Sequence, residues 1–174
     1  MTGLPGSGKS QLAHYLAPML GLPVLDKDEW LEQAFDAKGV GDAAWRRQLS
    51  READDEFQRD ALRSDGAILV SFWHQPGMAV DSGTPTAWLR RLAGPVVVLH
   101  CACPPDVAVH RFVERRRHVG HLDHLRSPAV LRAQFDKLAS LTAVTVGPVI
   151  DVPTTEPVDL EAVCRAVTAA WAAI

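Results

Sequence analysis

The sequence lacks the features that mark several specialised classes of protein. It has only three cysteines in 174 residues, which predicts reduced thiols and a cytoplasmic location rather than a disulfide framework. Its long apolar stretch, residues 12–25, is interrupted by His14, Pro18, Gly21 and Pro23, so it is typical of neither a signal peptide nor a membrane span. The formal net charge of −3 provides no general attraction to nucleic acid or to an anionic membrane.

A second shortage lies in the charged residues that follow the apolar segments. Segments 68–71 and 96–101 have the composition of buried parallel strands, but neither ends in an aspartate. Motor and switch-type nucleotide hydrolases place an aspartate there to hold their metal ion. Its absence argues against a mechanical ATPase.

What the chain does have is a complete phosphate-binding P-loop at residues 3–10, Gly-Leu-Pro-Gly-Ser-Gly-Lys-Ser. Its glycines let backbone N–H groups surround a phosphate, Lys9 would reach the β- and γ-phosphates, and the Ser10 hydroxyl would ligate Mg²⁺. The alternative is a glycine-rich turn before an ordinary helix. The pattern is not the dinucleotide-binding fingerprint, because Gln11 stands where that fingerprint has a glycine. The pattern predicts ATP and Mg²⁺ as cofactors, with nucleotide contacts from Gly3, Pro5, Gly6, Ser7, Gly8, Lys9, Ser10 and Gln11.

Very little chain precedes this P-loop. Such a loop normally follows a buried central strand, but only Met1 and Thr2 stand before Gly3. We expect the natural chain to begin one strand upstream, since an absent strand would leave its neighbours' edges unpaired. The alternative is a sheet that closes without it.

Apolar periodicity and capping residues predict an α/β fold with a parallel sheet flanked by helices. The length and ordinary composition predict a single domain, 1–174, with a helical substrate-side insert at 28–64 and a lid at 115–128. We expect Asp28 to be the N-cap of the first insert helix. The predicted helices span 9–20, 28–37, 42–64, 84–93 (a short one), 104–117, 127–138 and 157–173, and the strands span 22–26, 67–71, 96–101 and 149–152.

Asp26 and Asp28 are the most informative acids outside the P-loop. They follow a predicted strand, and ligands of open parallel sheets bind beyond the carboxyl ends of the strands. A phosphoryl acceptor needs a carboxylate to orient its hydroxyl, and Mg²⁺ needs oxygen ligands. We assign Asp28 to the acceptor hydroxyl and Asp26, with Ser10, to the metal. The alternative is that Asp28 only caps a helix.

Four arginines, at positions 111, 115, 116 and 117, lie near the end of one predicted helix. Guanidinium groups can neutralise the charge that develops during phosphoryl transfer as a lid closes. We predict that Arg115 and Arg117 act near the phosphates and that Arg111, on the same helix face as Arg115, packs on the adenine. The alternative is a solvated basic helix end.

Several other side chains are weaker candidates. The lid histidines 118, 121 and 124 have a spacing that favours phosphate or substrate contacts over a zinc site, because no cysteine lies nearby. Trp73 and His74, with Trp45 and either Arg46 or Arg47, are candidates for the acceptor pocket. A tryptophan packed under a loop is the commoner arrangement.

The P-loop, the Asp26-Lys-Asp28 acids, the helical insert and the Arg115–His121 lid together resemble the small P-loop kinases. The chain is similar to the gluconate kinase and shikimate kinase group and to the chloramphenicol phosphotransferase and zeta-toxin branch. The resemblance implies a five-stranded sheet in the order 2-3-1-4-5, and adenine near Pro153 and Thr154. Shikimate kinases carry a glycine-rich stretch after the third strand, where this chain has Ser-Phe-Trp-His at 71–74, so shikimate is not the favoured acceptor.

These features predict an ATP-dependent kinase of a small-molecule hydroxyl, such as that of a sugar acid, a metabolite or an antibiotic. One alternative is a polynucleotide 5′-hydroxyl kinase, disfavoured by the acidic charge and the lack of an aromatic stacking platform. Another is a nucleotide-binding module without catalytic activity. The sequence determines neither the acceptor nor the oligomeric state.

Overall fold

A computed structural model describes residues 1–141 and 144–174 of the chain. Its helices are α1 (Lys9–Leu20), α2 (Lys27–Lys38), α3 (Ala43–Arg63), α4 (Pro105–Glu114), α5 (Pro128–Ala139) and α6 (Leu160–Ala172). Its strands are β1 (Val24–Asp26), β2 (Ile68–Val70), β3 (Val98–Ala102) and β4 (Val149–Pro153). Short 3₁₀ turns occupy Ala87–Arg91, Val119–His121 and Asp123–Leu125. Within the described residues, no helix is both long and apolar enough to cross a membrane.

The strands form two parallel pairs, β1 with β2 and β3 with β4. Met1 and Thr2 lie between them. The Met1 amino group donates to the Leu69 carbonyl at 2.8 Å, and the Thr2 N–H donates to the Leu99 carbonyl at 2.8 Å. The Thr2 carbonyl in turn accepts from the N–H of Cys101 at 2.9 Å.

The spatial order is therefore β1, β2, residues 1–2, β3, β4. Counted with residues 1–2 as the first strand, this is the order 2-3-1-4-5 that the resemblance implies. Met1 and Thr2 hydrogen-bond to carbonyls of both neighbours, Leu69 of β2 and Leu99 of β3, which ties the two strand pairs together immediately before the P-loop.

Helix α1 has the predicted bounds and ends at Gly21, whose left-handed φ of 66° suits a residue without a side chain. Helix α3 begins as expected at Asp42, whose carboxylate accepts from the N–H groups of Ala44 and Trp45.

Several predicted helix limits were wrong: α6 begins at Leu160 instead of residue 157, the short helix predicted at 84–93 is a 3₁₀ turn at Ala87–Arg91, and two ends near the site differ. Asp26, not Asp28, is the N-cap of α2, and its Oδ1 accepts from the Asp28 N–H at 3.1 Å. Helix α4 stops at Glu114 instead of continuing to residue 117, and Arg115 is already extended. The reason is tertiary, because the extended chain carries Arg117 to carboxylates outside the helix.

Apolar side chains cover both faces of the sheet. Helices α1 and α6 pack on one face, where Leu16 and Val167 bury against Val70. On the other face Phe57 of α3 and Trp73 form a cluster with Leu69. This sandwich fixes the carboxyl ends of the strands, where the loops that bear charged residues converge.

Candidate active site

One cleft of about 1510 Å³ opens at the carboxyl ends of the strands. The P-loop and the first turn of α1 line it, as do the start of α2, one side of α3, the segment 78–83 and the lid. It therefore brings together the sequence elements that were expected to form a nucleotide site and an acceptor site.

The P-loop backbone is packed too closely to accept side chains at two of its glycines. Gly3 and Gly6 have φ values of 127° and 82°. A Cβ on Gly3 would lie 2.6 Å from the carbonyl oxygen of Cys101, and one on Gly6 would lie 2.4 Å from that of Ala108. These glycines are required for the loop to sit against β3 and α4.

Replacement of Gly6 by alanine is expected to destabilise the chain by about 2 kcal/mol or more, because strain at positive φ adds to a clash with backbone. Thermal unfolding followed by circular dichroism measures this. Gly21→Ala is the matched control, since its φ is also positive but a Cβ there meets nothing within 4 Å. Equal losses of stability in the two variants would contradict the close packing at Gly6.

Lys9 and Ser7 show how the P-loop is suited to an anion. The Lys9 ammonium donates to the carbonyls of Gly3 at 3.0 Å and Leu4 at 2.7 Å. Burial lowers the pKa of Lys9 to about 8, because the buried ammonium has lost much of its contact with water. A negatively charged ligand in the P-loop would therefore stabilise the charged form of Lys9. The Ser7 hydroxyl is buried and has no hydrogen-bond partner within the described residues.

Ser10 and Asp26 fit a magnesium site. The Ser10 hydroxyl donates to Asp26 Oδ2 at 2.5 Å, so the two oxygens predicted as ligands are adjacent. Burial raises the pKa of Asp26, an effect opposed by the hydrogen bond from Ser10. A partly desolvated carboxylate beside a hydroxyl is a donor set that suits a hard cation.

Asp28 faces the lid, where Arg117 forms an ion pair with its Oδ2. Arg117 also contacts Asp123 of the lid, at 3.1 Å. Burial alone would raise the pKa of Asp28, but Arg117, followed by His121, outweighs it and holds that pKa below its usual value. Asp28 is therefore a carboxylate anion directed into the cleft.

Arg115 and Arg111 both line the cleft and contact different groups in it. Arg115 lies beyond the end of α4, and its guanidinium stacks over the Phe112 ring at 4.1 Å. Burial and the neighbouring Arg117 lower the pKa of Arg115 to about 10. Arg111 donates to the carbonyl of Thr154 at 2.8 Å.

The region predicted for adenine is only partly in the cleft. Thr154, Thr155 and Arg111 line it. Pro153 ends β4, is exposed and is not among the lining residues. Of the predicted P-loop contacts, Gly3 and Ser7 do not line the cleft, whereas the others do: Pro5, Gly6, Gly8, Lys9, Ser10 and Gln11.

Two of the three lid histidines contact carboxylates of α2. His118 lies 3.2 Å from Asp36, and the fully buried His121 lies 2.8 Å from Glu32. Phe35 stacks with His118 at 5.2 Å between ring centroids. These contacts join the lid to the helix that carries Asp28.

The aromatic candidates for the acceptor pocket lie elsewhere. Trp73 is buried in the core and donates to the Met1 carbonyl at 2.8 Å. Trp45 donates to the Gly39 carbonyl at 3.0 Å. Arg46 and Arg47 do line the cleft, and the Arg46 Nε atom is buried without a partner among the described residues.

Sequence reasoning missed a charged cluster beside Asp28. Lys27 forms a buried ion pair with Asp54 of α3 at 2.7 Å, and Arg51 contacts the other oxygen of Asp54 at 3.2 Å. The sequence feature that could have indicated this cluster is Asp54, a carboxylate that follows Ala53 of the apolar stripe of α3 and is buried with it. A charge on a buried face requires a partner.

Comparisons with known proteins place these features in a family. Residues 1–141 match the model of the AAA domain family. A search of curated protein sequences gives no match. A crystal structure of a candidate kinase from Chloroflexus aurantiacus is 29% identical, with 97% of this chain and 95% of that one covered at a TM-score of 0.74.

Two more distant structures share the fold. A shikimate kinase from Bacteroides thetaiotaomicron is 17% identical, with 97% and 94% of the two chains covered at a TM-score of 0.60. A gluconokinase from Sinorhizobium meliloti is 19% identical, with 99% and 89% covered at a TM-score of 0.50. With the P-loop built as described above, the chain belongs to the AAA domain family and has the fold of the P-loop kinases.

Proposed function

We propose that the protein is an ATP-dependent phosphotransferase that moves the γ-phosphate of ATP to a hydroxyl group of a small molecule. The observation that carries this proposal is the shared cleft of Lys9, Asp28 and Arg115. Asp28 and Arg115 both influence the pKa of Lys9, so an anion binder, a carboxylate and a lid cation act within one electrostatic environment. The gluconokinase and the shikimate kinase that share this fold are consistent with a small acceptor.

Each side chain has a role that follows from its place. The P-loop backbone and Lys9 would bind the phosphates, and Arg111 with Thr154 would border the adenine. Asp28 would orient the acceptor hydroxyl and accept its proton. Arg115 and Arg117 would stabilise the negative charge that develops on the transferred group.

Ser10 and Asp26 would hold Mg²⁺, which supplies charge neutralisation to the β- and γ-phosphate oxygens when it is bound. The contribution of the chain is to position a hydroxyl oxygen, a carboxylate and the P-loop N–H groups around one point. Lid contacts from His118 and His121 to α2 would exclude water from that point, which disfavours hydrolysis of ATP.

A screen for ATP consumption tests the proposal. Purified protein with ATP and Mg²⁺ is offered a panel of hydroxyl compounds that includes sugar acids, neutral sugars, nucleosides, aminocyclitols and a 5′-hydroxyl oligonucleotide, and ADP formation is measured. We expect at least one small compound to stimulate ADP formation and to gain a phosphate by mass spectrometry. Stimulation by the oligonucleotide alone would favour a polynucleotide kinase, and failure to bind ATP would refute the proposal.

Replacement of Arg117 by glutamine is expected to move the acidic limb of the pH–rate profile to higher pH. Arg117 lowers the pKa of Asp28, so removal of the guanidinium raises that pKa. As the pH falls, Asp28 then becomes protonated at a higher pH than in the wild-type chain, and a protonated carboxyl cannot act as a base. Initial rates with the stimulating acceptor across pH 4 to 8 measure the shift. Arg116→Gln is the control, because Arg116 is exposed and lies outside this cleft. An unmoved acidic limb in Arg117→Gln would contradict the role of the pair.

A further inference from the structure

Segment 78–83 crosses one side of the cleft without being a helix or a strand. Met78, Ala79, Asp81, Ser82 and Gly83 line the cleft, together with Lys27 and Asp28. A short ladder closes the base of this loop, with the His74 N–H donating to the Thr84 carbonyl at 2.8 Å and the Thr84 N–H to that of Phe72 at 2.7 Å. The loop therefore lines the same cleft as Asp28.

Apolar burial does not hold the outer part of this loop, because Val80 is 92% exposed. Polar contacts hold it instead: His74 Nδ1 lies 2.7 Å from the Ser82 carbonyl, and a guanidinium from α3 contacts two other carbonyls. Arg51 donates to the carbonyl of Gly83 at 3.2 Å and to the carbonyl of Asp81. One planar side chain thus donates to two carbonyls of the loop backbone, two residues apart.

Arg51 is itself oriented by a buried carboxylate. Asp54 Oδ2 accepts from Arg51 at 3.2 Å, and Asp54 Oδ1 contacts the Lys27 ammonium at 2.7 Å. Lys27 also donates to the Ser50 hydroxyl at 2.9 Å. Asp54 therefore connects the loop, α3 and the residue that immediately precedes Asp28.

We propose that Arg51, oriented by Asp54, is a positioning residue that fixes segment 78–83 over the acceptor side of the cleft and so sets the affinity for the acceptor. This inference rests on the proposed phosphotransferase function. A buried ion pair contributes little net stability, but it specifies one arrangement of the segments that it joins. Without Arg51 the loop backbone would exchange these hydrogen bonds for water and lose its fixed position.

Arg51→Gln tests this better than a change at Asp54, which would leave the buried Lys27 ammonium unpaired and destabilise the whole chain. The control is Arg59→Gln on the same helix, because Arg59 is exposed and pairs only with Glu56 among the described residues. Arg51→Lys is a third variant that retains the charge next to Asp54 but not the planar fork. All measurements use the full 174-residue chain.

The first measurement is amide hydrogen exchange, which needs no acceptor. We expect amides in 78–84 to exchange about tenfold faster in Arg51→Gln and to be unchanged in Arg59→Gln. The second is steady-state kinetics with the compound that stimulates ADP formation. We expect the KM for that compound to rise about tenfold in Arg51→Gln, less in Arg51→Lys, while the KM for ATP stays within about twofold.

The outcomes separate the two proposals. Unchanged hydrogen exchange in 78–84 would overturn the role of Arg51. Equal increases in the KM values for ATP and for the acceptor, together with a lower melting temperature, would overturn it as well. A wild-type chain that consumes no ATP with any compound would refute the proposed function and the acceptor-affinity half of the inference. Hydrogen exchange would still decide whether Arg51 fixes the loop.

Discussion

Replacement of Asp28 by asparagine is expected to reduce phosphoryl transfer by about 10²–10⁴-fold, the usual loss when a general base is removed. Asparagine has nearly the same shape as aspartate but cannot accept the hydroxyl proton. Its amide would also meet the Arg117 guanidinium without a negative charge. The expected change is in kcat, with little change in the affinity for ATP.

Coupled measurement of ADP formation gives the rate of this variant, and isothermal titration gives its ATP affinity. Glu29→Gln is the matched control, because Glu29 is the adjacent carboxylate of α2 but is exposed and does not line the cleft. Near-normal turnover by Asp28→Asn with an intact fold would remove this residue from the mechanism.

Replacement of Lys9 by alanine is expected to lower turnover by about 10²–10³-fold or more, because it removes a preorganised cation from the phosphate site. Binding of ATP is expected to weaken at least about tenfold. The variant is not expected to be less stable without ligand, because burial disfavours the Lys9 ammonium, as its lowered pKa shows.

Thermal shift experiments separate these effects. We expect ATP with Mg²⁺ to raise the melting temperature of the wild-type chain and of Lys38→Ala, whose ammonium is exposed on α2. The melting temperature of Lys9→Ala should respond far less to ATP. A full response in Lys9→Ala would mean that the P-loop lysine does not contact the nucleotide.

The parts of this fold that were predictable are those encoded within a few residues. The P-loop and α1 follow from glycine spacing, an i, i+4 apolar pattern and Gly21. The cap of α2 was misplaced because Asp26 and Asp28 are both good caps two positions apart, and only the Asp26 side chain accepts the free N–H.

The charged contacts of the site depend on chain segments that are far apart. Arg117 and Asp28 are 89 positions apart, so no local pattern pairs them, although both were singled out as candidates. Lys27 and Asp54 also lie on different helices, and neither was singled out as a candidate. The end of α4 at Glu114 is a further consequence, since ion pairs made beyond it outweigh the helix propensity of three arginines.

Asp26 has two attachments at once, because one oxygen accepts from Ser10 of α1 and the other from the N–H of Asp28 in α2. A displacement of Ser10 or of the first turn of α2 would therefore also move the other helix, because both are hydrogen-bonded to the Asp26 carboxylate. Substitution of Asp26 would confound loss of the proposed metal ligand with unwinding of the turn that bears Asp28. Ser10→Ala leaves that turn intact, which makes it the cleaner probe of divalent-cation dependence.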